Sequence, residues 1–392
     1  MIIRNYFKIN FIKKNFEKIF EDVLENIDNP LKTLNVLNKD FAFKFKTKEI
    51  KKYNNFKKLA IIGMGGSILG SEAIYCFFKK KIKKKIYFFD DLDENKILDF
   101  KKKEKFSEIL FIIISKSGNT IETLSNTFSL NIIKKNAKNV IIISEKKNNL
   151  LFQISKKFNL FFVEHNNYIG GRYSVLSEVG MIPAYLMGIK ISELRSEIKI
   201  FLKGLNKEIL KESSTKLAYL LNLQKKNNLI FLNYSPELDK FLFWCQQLIA
   251  ESLGKRNRGF LPIISNVPKD HHSLLQLYLD GPKDKLFYIF HHNEKSKNKI
   301  LVKNLSKKIM FLNNKSLDII KNAQKNSLIK TLIKKGIPFR EFSIRELNEE
   351  TLGQLFSYFI IETIFIARLS NINPFNQPAV EQVKNYTKKL LS

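Results

Sequence analysis

From residue 59 onward, short runs of uninterrupted apolar residues alternate with helical patterns. The runs are Leu59–Ile62, Ile86–Phe89, Ile109–Ile114, Val140–Ile143 and Leu160–Val163. Helical spacing separates them, most clearly over Ile68–Phe78 and Ile121–Ile133. A strand that is apolar on both faces belongs in a sheet covered on both sides, and the interleaved helices supply the covers. The pattern therefore predicts an α/β fold with a mostly parallel sheet. A looser alternation follows, with strands at Leu229–Asn233, Phe287–Phe290, Met310–Leu312 and Phe339–Ile344. Helices are expected over 174–188, kinked at Pro183, and over 237–253, 316–335, 349–369 and from about 378. Residues 4–55 read as helices with a charged loop. The division expected is an N-terminal helical extension (1–45), a first α/β domain (46–195) and a second (196–392). With no Pro/Ser-rich linker, the two domains should pack closely.

At 392 residues the chain is long enough for two domains with their own cores. Its formal charge is +31, and Lys79–Lys85 and Lys101–Lys105 are nearly solid lysine. The excess comes with many Asn, Ile and Phe residues and runs along the whole chain. All four residue types have A/T-rich codons, so gene composition is the expected source of the excess. A nucleic-acid footprint would instead cluster with aromatic or arginine-rich readers, so no nucleic-acid partner is expected. The charge can still steer a dianionic substrate inward. Runs such as Leu110–Ile114 and Ile364–Ala367 are too short to span a bilayer, and Met1–Asn5 lacks a signal-peptide core. A soluble cytoplasmic protein without a membrane partner is expected. Cys76 and Cys245 sit in apolar, helix-like stretches and read as buried thiols.

Five separated segments carry the chemistry. Gly63-Met64-Gly65-Gly66-Ser67 follows the first strand and opens a helix, where glycines admit a ligand to free N–H groups or simply make a tight turn. A dinucleotide-binding turn would want glycine where Ile68 stands, although Asp90 after the next strand suits it. Ser115-Lys116-Ser117-Gly118-Asn119-Thr120 follows the third strand, with Thr123 one turn later. One hydroxyl suffices for a helix cap; four make a phosphate pocket at a strand end. Gly170-Gly171-Arg172 presents a permanent fork of donors. Glu251 shares a helical face with Trp244, Gln247 and Leu248. A carboxylate on a largely apolar stripe is desolvated, the setting a general base near neutrality requires. It also stands near a helix C-terminus, where the macrodipole disfavours it. His271 and His272 are adjacent and point apart, with no third ligand at a useful spacing, so no metal site is expected.

Taken together, these segments resemble the phosphoglucose isomerase family from about residue 60 to the C-terminus. Gly63–Ser67, Ser115–Thr123, Gly171-Arg172, Glu251–Lys255 with Gln247 upstream, and His272-Ser273 fall in that family's order. Phe375-Asn376-Gln377, with Lys384 seven residues on, completes it. The resemblance implies two sugar-isomerase (SIS) domains, each a three-layer α/β/α sandwich, with no metal and no organic cofactor. It implies interconversion of glucose 6-phosphate and fructose 6-phosphate, in glycolysis and gluconeogenesis. Ser115, Ser117, Thr120 and the backbone near Lys116 would hold the phosphate, and Gly66 and Ser67 would line the sugar pocket. His272 and Lys384 would assist ring opening, and Glu251 would shuttle the proton between C2 and C1. Arg172 would stabilise the developing negative charge and Gln377 would position the substrate. The histidine would come from the neighbouring subunit of a homodimer. Gly118-Asn119 is similar to the loop of dual phosphoglucose/phosphomannose isomerases, which keeps that alternative open. Leu253, Val267–Asp270 and Gln382-Val383 also depart from the usual pattern. A non-catalytic SIS sugar-phosphate sensor would keep the serine-rich loop without needing Glu251, Arg172 and His272 together.

Overall fold

The computed structural model describes residues 1–6, 15–292, 296, 298–302 and 306–392. In chain order its strands are β1 (Ile2–Tyr6), β2 (Lys58–Ile62), β3 (Lys85–Phe89), β4 (Ile109–Ile114), β5 (Val140–Ser144), β6 (Phe161–Glu164), β7 (Asn228–Asn233), β8 (Leu261–Asn266), β9 (Lys285–His292) and β10 (Phe339–Ile344). The first sheet is wholly parallel, in the order β3-β2-β4-β5-β6. The second runs β1-β10-β9-β7-β8, parallel except where β1 pairs antiparallel with β10.

Side chains alternate between layers along each strand. In β2, Leu59 and Ile61 enter a core shared by both sheets, while Ala60 and Ile62 enter an outer one. In β7, Leu229 and Phe231 join the shared core and Ile230 and Leu232 a separate outer core. The Leu69–Phe77 and Asp239–Leu253 helices pack against each other within the shared core. The result is two α/β/α layers fused through one interior, and it brings helix 239–253 of the second unit to the strand ends of the first.

Two expectations need correcting, and two further features were not foreseen. Residues 2–6, read within the helical extension, form the edge strand of the second sheet; residues 7–14 of that stretch lie outside the described ones. β8 escaped the sequence reading because it contains Pro262. Proline removes a ladder donor, but β8 lies at the sheet edge, where none is needed on the open side. Met310–Leu312 belongs to a 3₁₀ turn, Lys307–Leu312, with Phe311 exposed, so its apolar run is no strand. The Glu349–Leu369 helix is long and apolar enough to cross a bilayer, unlike the short runs considered above. It is mostly buried, and it fills the shared core.

Candidate active site

The Glu251 carboxylate lies in the last turn of helix 239–253. Its Oε2 accepts from Arg172 Nη1 at 3.0 Å and its Oε1 from Gln247 Nε2 at 3.0 Å. The apolar stripe expected around it is therefore replaced by two donors on the polar side, with Trp244 and Leu248 buried behind. The Arg172 cation offsets the unfavourable helix C-terminus. The Glu251 side chain is about a quarter exposed (28%), so its carboxylate is open to solvent.

Arg172 is buried, at 3% exposure, and all five of its N–H donors are engaged. Nε donates to Ser252 Oγ at 2.9 Å. Nη1 serves Glu251 Oε2 and Gln377 Oε1. Nη2 serves the carbonyls of Pro374 and Asn376. One fork thus ties the Glu251 helix to the Gln377 segment. The Tyr173 hydroxyl supports it, donating to the Pro374 carbonyl at 2.8 Å and lying 2.8 Å from Ser252 Oγ. Ser252 and Tyr173 were missed in the sequence although each adjoins a residue singled out there. Lys255 was likewise quoted without a role. Its Nζ donates to the Ser252 carbonyl at 3.2 Å, and burial first, then Arg172, lowers it to about 8 against the pull of Glu251.

The glycine loop is held close against a second glycine loop. A Cβ on Gly66 would collide with the Gly171 carbonyl and stand 2.6 Å from Arg172 N. Gly66 is glycine because the two loops touch backbone to backbone, which fixes where Arg172 starts. Gly65, at φ +53°, would place a Cβ 2.7 Å from Gln247 Nε2. Ser67 is half-buried beside them.

The Ser115–Thr120 loop sits beside this loop, for a Cβ on Gly63 would lie 3.1 Å from the Ile114 carbonyl. Ser115 Oγ and Thr120 Oγ1 are 2.9 Å apart, and Ser117 Oγ lies 3.5 Å from Thr120 Oγ1. Thr120 is the N-cap of the Ile121–Ser129 helix, yet its side chain makes no cap hydrogen bond. Its hydroxyl turns into the loop, toward those of Ser115 and Ser117. Thr123 is wholly buried one turn into the helix, and Ser115, Ser117 and Thr120 are the hydroxyls that converge in the loop. Lys116 pairs with Glu145 at 3.8 Å; burial holds its ammonium below the usual lysine range, and Arg172 adds slightly to that. Gly118 has φ +66°, and a Cβ there would strike Asn149 Oδ1 and stand 2.9 Å from Ser144 Oγ. Gly118→Ala should destabilise the protein by about 1–3 kcal/mol, read by thermal melting.

Two predicted residues do not join this group in the described chain. His272 is exposed on the Lys269–His272 turn, and His271 takes the inward place with Nε2 3.0 Å from the Tyr234 hydroxyl. Lys384 lies on the Ala379–Leu391 helix, which has no buried residue, and it pairs with Glu381 at 2.7 Å. Neither contacts Arg172 or Glu251. Among the described residues no His, Cys, Asp and Glu cluster is arranged to hold a metal.

The family model described as phosphoglucose isomerase matches residues 16–392. The chain belongs to the phosphoglucose isomerase family. It is 33% identical over 398 residues to a glucose-6-phosphate isomerase of Methanocaldococcus jannaschii, covering 97% of this chain and 94% of that protein. It is 31% identical over 400 residues to a probable glucose-6-phosphate isomerase of Methanococcus maripaludis, covering 98% and 90%. Among solved structures, a glucose-6-phosphate isomerase from Chlamydia trachomatis superposes with a TM-score of 0.74 at 18% identity, over 88% of this chain and 71% of that one.

Proposed function

We infer that this protein is a glucose-6-phosphate isomerase, interconverting glucose 6-phosphate and fructose 6-phosphate in glycolysis and gluconeogenesis. The observation that carries the reading is the Glu251 carboxylate paired with a fully engaged Arg172, two glycine-bridged loops away from a three-hydroxyl cradle. In this reading Ser115, Ser117, Thr120 and the backbone near Lys116 hold the phosphate, and Gly66 and Ser67 line the sugar pocket. Glu251 removes the C2 proton of the open-chain aldose. The electron pair moves into the C1–C2 bond and the carbonyl π pair onto O1, giving a cis-enediolate. A proton passes from O2–H to O1, and Glu251 then returns its proton to C1 as the O2 lone pair forms the C2 carbonyl. Arg172 stabilises the oxyanion, releasing Gln377 or Glu251 to do so, and Gln377 positions the sugar.

Ring opening needs an acid and a base that this chain does not place beside Glu251. We assign it to His272, supplied by the partner in a homodimer, with Lys384. Two features support a dimer. His272 is exposed, and the Ala379–Leu391 helix carries an uncovered apolar stripe of Val380, Val383 and Leu390. A cytoplasmic location fits a soluble glycolytic enzyme.

Removing one cradle hydroxyl tests the phosphate assignment. Ser117→Ala should raise KM about tenfold or more with little change in kcat, since a bond to a charged ligand is lost equally from ground and transition states. An unchanged KM would remove Ser117 from the phosphate site.

A further inference from the structure

The positive charge of the first domain is not spread evenly in space. All five strands of its sheet run parallel, so the segments entering them lie along one edge. Each entrance carries exposed lysine: Lys57 before β2, Lys83 before β3, Lys101 and Lys105 before β4, Lys138 before β5 and Lys157 before β6. None of these six has an ion-pair partner among the described residues. Cross-links show that the entrances form one continuous surface. Lys58 reaches Glu104 and Glu108 at 3.1 and 2.9 Å, Asn139 Nδ2 donates to the Phe106 carbonyl at 2.9 Å, and Asn136 N donates to the Phe158 carbonyl at 2.8 Å. Across five strands the edge runs roughly 19 Å.

The opposite edge differs. There the strand exits carry Asp90, Asp91, Asp93 and Glu145; Lys96, Lys116 and Lys147 are each paired with Asp90 or Glu145, and exposed Lys146 adjoins them. Codon bias would load both edges alike. Helix dipoles favour lysine only in last helical turns, and Lys57, Lys83, Lys105 and Lys138 lie outside helices.

At the β5–β6 end this edge opens into a cavity of about 640 Å³ whose walls include Lys52, Tyr53, Phe56, Phe161 and Phe162. Lys52 Nζ stands 4.8 Å from the centre of the Phe161 ring. The exposed amides of Asn136 and Asn159 flank it, 2.8 Å apart. A lysine-lined track ending in partly exposed rings offers phosphate contacts without sequence readout, plus a stacking platform for an unpaired base. We propose that this edge binds single-stranded nucleic acid, its phosphates along the strand entrances and a base in the aromatic cavity. The surface lies across the sheet from Glu251, so occupancy leaves isomerisation untouched.

The test is fluorescence anisotropy of the full-length protein with a labelled oligouridylate of about 16 nucleotides. Binding should weaken roughly 100-fold between about 50 and 200 mM salt, as contact with about five phosphates requires. A variant carrying Lys57→Glu, Lys83→Glu, Lys101→Glu, Lys105→Glu and Lys138→Glu should bind at least about tenfold more weakly while converting fructose 6-phosphate at the unaltered rate. Phe161→Leu should weaken binding about tenfold with the salt dependence unchanged. Full retention of the oligonucleotide by the five-lysine variant would overturn the proposal. So would equal affinity for a duplex of the same length, or capture by phosphatidylglycerol vesicles with no oligonucleotide binding.

Discussion

Glu251→Gln should lower kcat by about a thousandfold or more while fructose 6-phosphate still binds. The amide oxygen of glutamine can still accept from Arg172, so the geometry that holds the pair at 3.0 Å is kept. The amide cannot take a proton from carbon, however, and among the described residues no other carboxylate contacts Arg172. Initial rates give the first quantity and titration calorimetry with fructose 6-phosphate the second. Loss of turnover together with loss of binding would instead make Glu251 a structural anchor for Arg172.

Arg172→Ala should be the most damaging single change in the site. It strips donors from the Ser252 hydroxyl, the Gln377 and Glu251 side chains and the carbonyls of Pro374 and Asn376. Breaking a buried pair by removing one partner costs about 3–5 kcal/mol. Losing the oxyanion donor lowers kcat by a further factor of about 100–1000. Arg172→Lys separates the two effects. It restores a cation beside Glu251 but not the fork, so it should recover part of the melting temperature and little of kcat. Recovery of full kcat by lysine would show that charge alone, without directed donors, carries the catalytic role.

The strands of the first sheet were legible because each is a continuous apolar run between helices, and Ile109–Ile114 and Phe339–Ile344 have the bounds read from sequence. What was not legible depends on pairing in space. Ile2–Tyr6 contains Arg4 and Asn5 and becomes a strand only by lying against β10, more than three hundred residues away. The five site segments were legible as residue types, and Glu251, Arg172 and Gln377 do meet. The reason for Gly66 was not legible. A GGS turn looks the same whether or not its glycine also meets another glycine's backbone, as Gly66 meets Gly171 here. Nor was the clustering of lysine visible, because successive strand entrances are separated by whole helical units. His272 and Lys384 had the right order in sequence yet stand on exposed surfaces of the single chain.

The central claim is most directly tested by following fructose 6-phosphate with the purified protein in deuterated water by proton NMR. Glucose 6-phosphate should accumulate with deuterium appearing at C2, because Glu251 holds the transferred proton where it can exchange with solvent before return. Retention of bound sugar phosphate with neither product nor deuterium incorporation would contradict the account and leave the Ser115–Thr120 cradle as the binding loop of a non-catalytic protein.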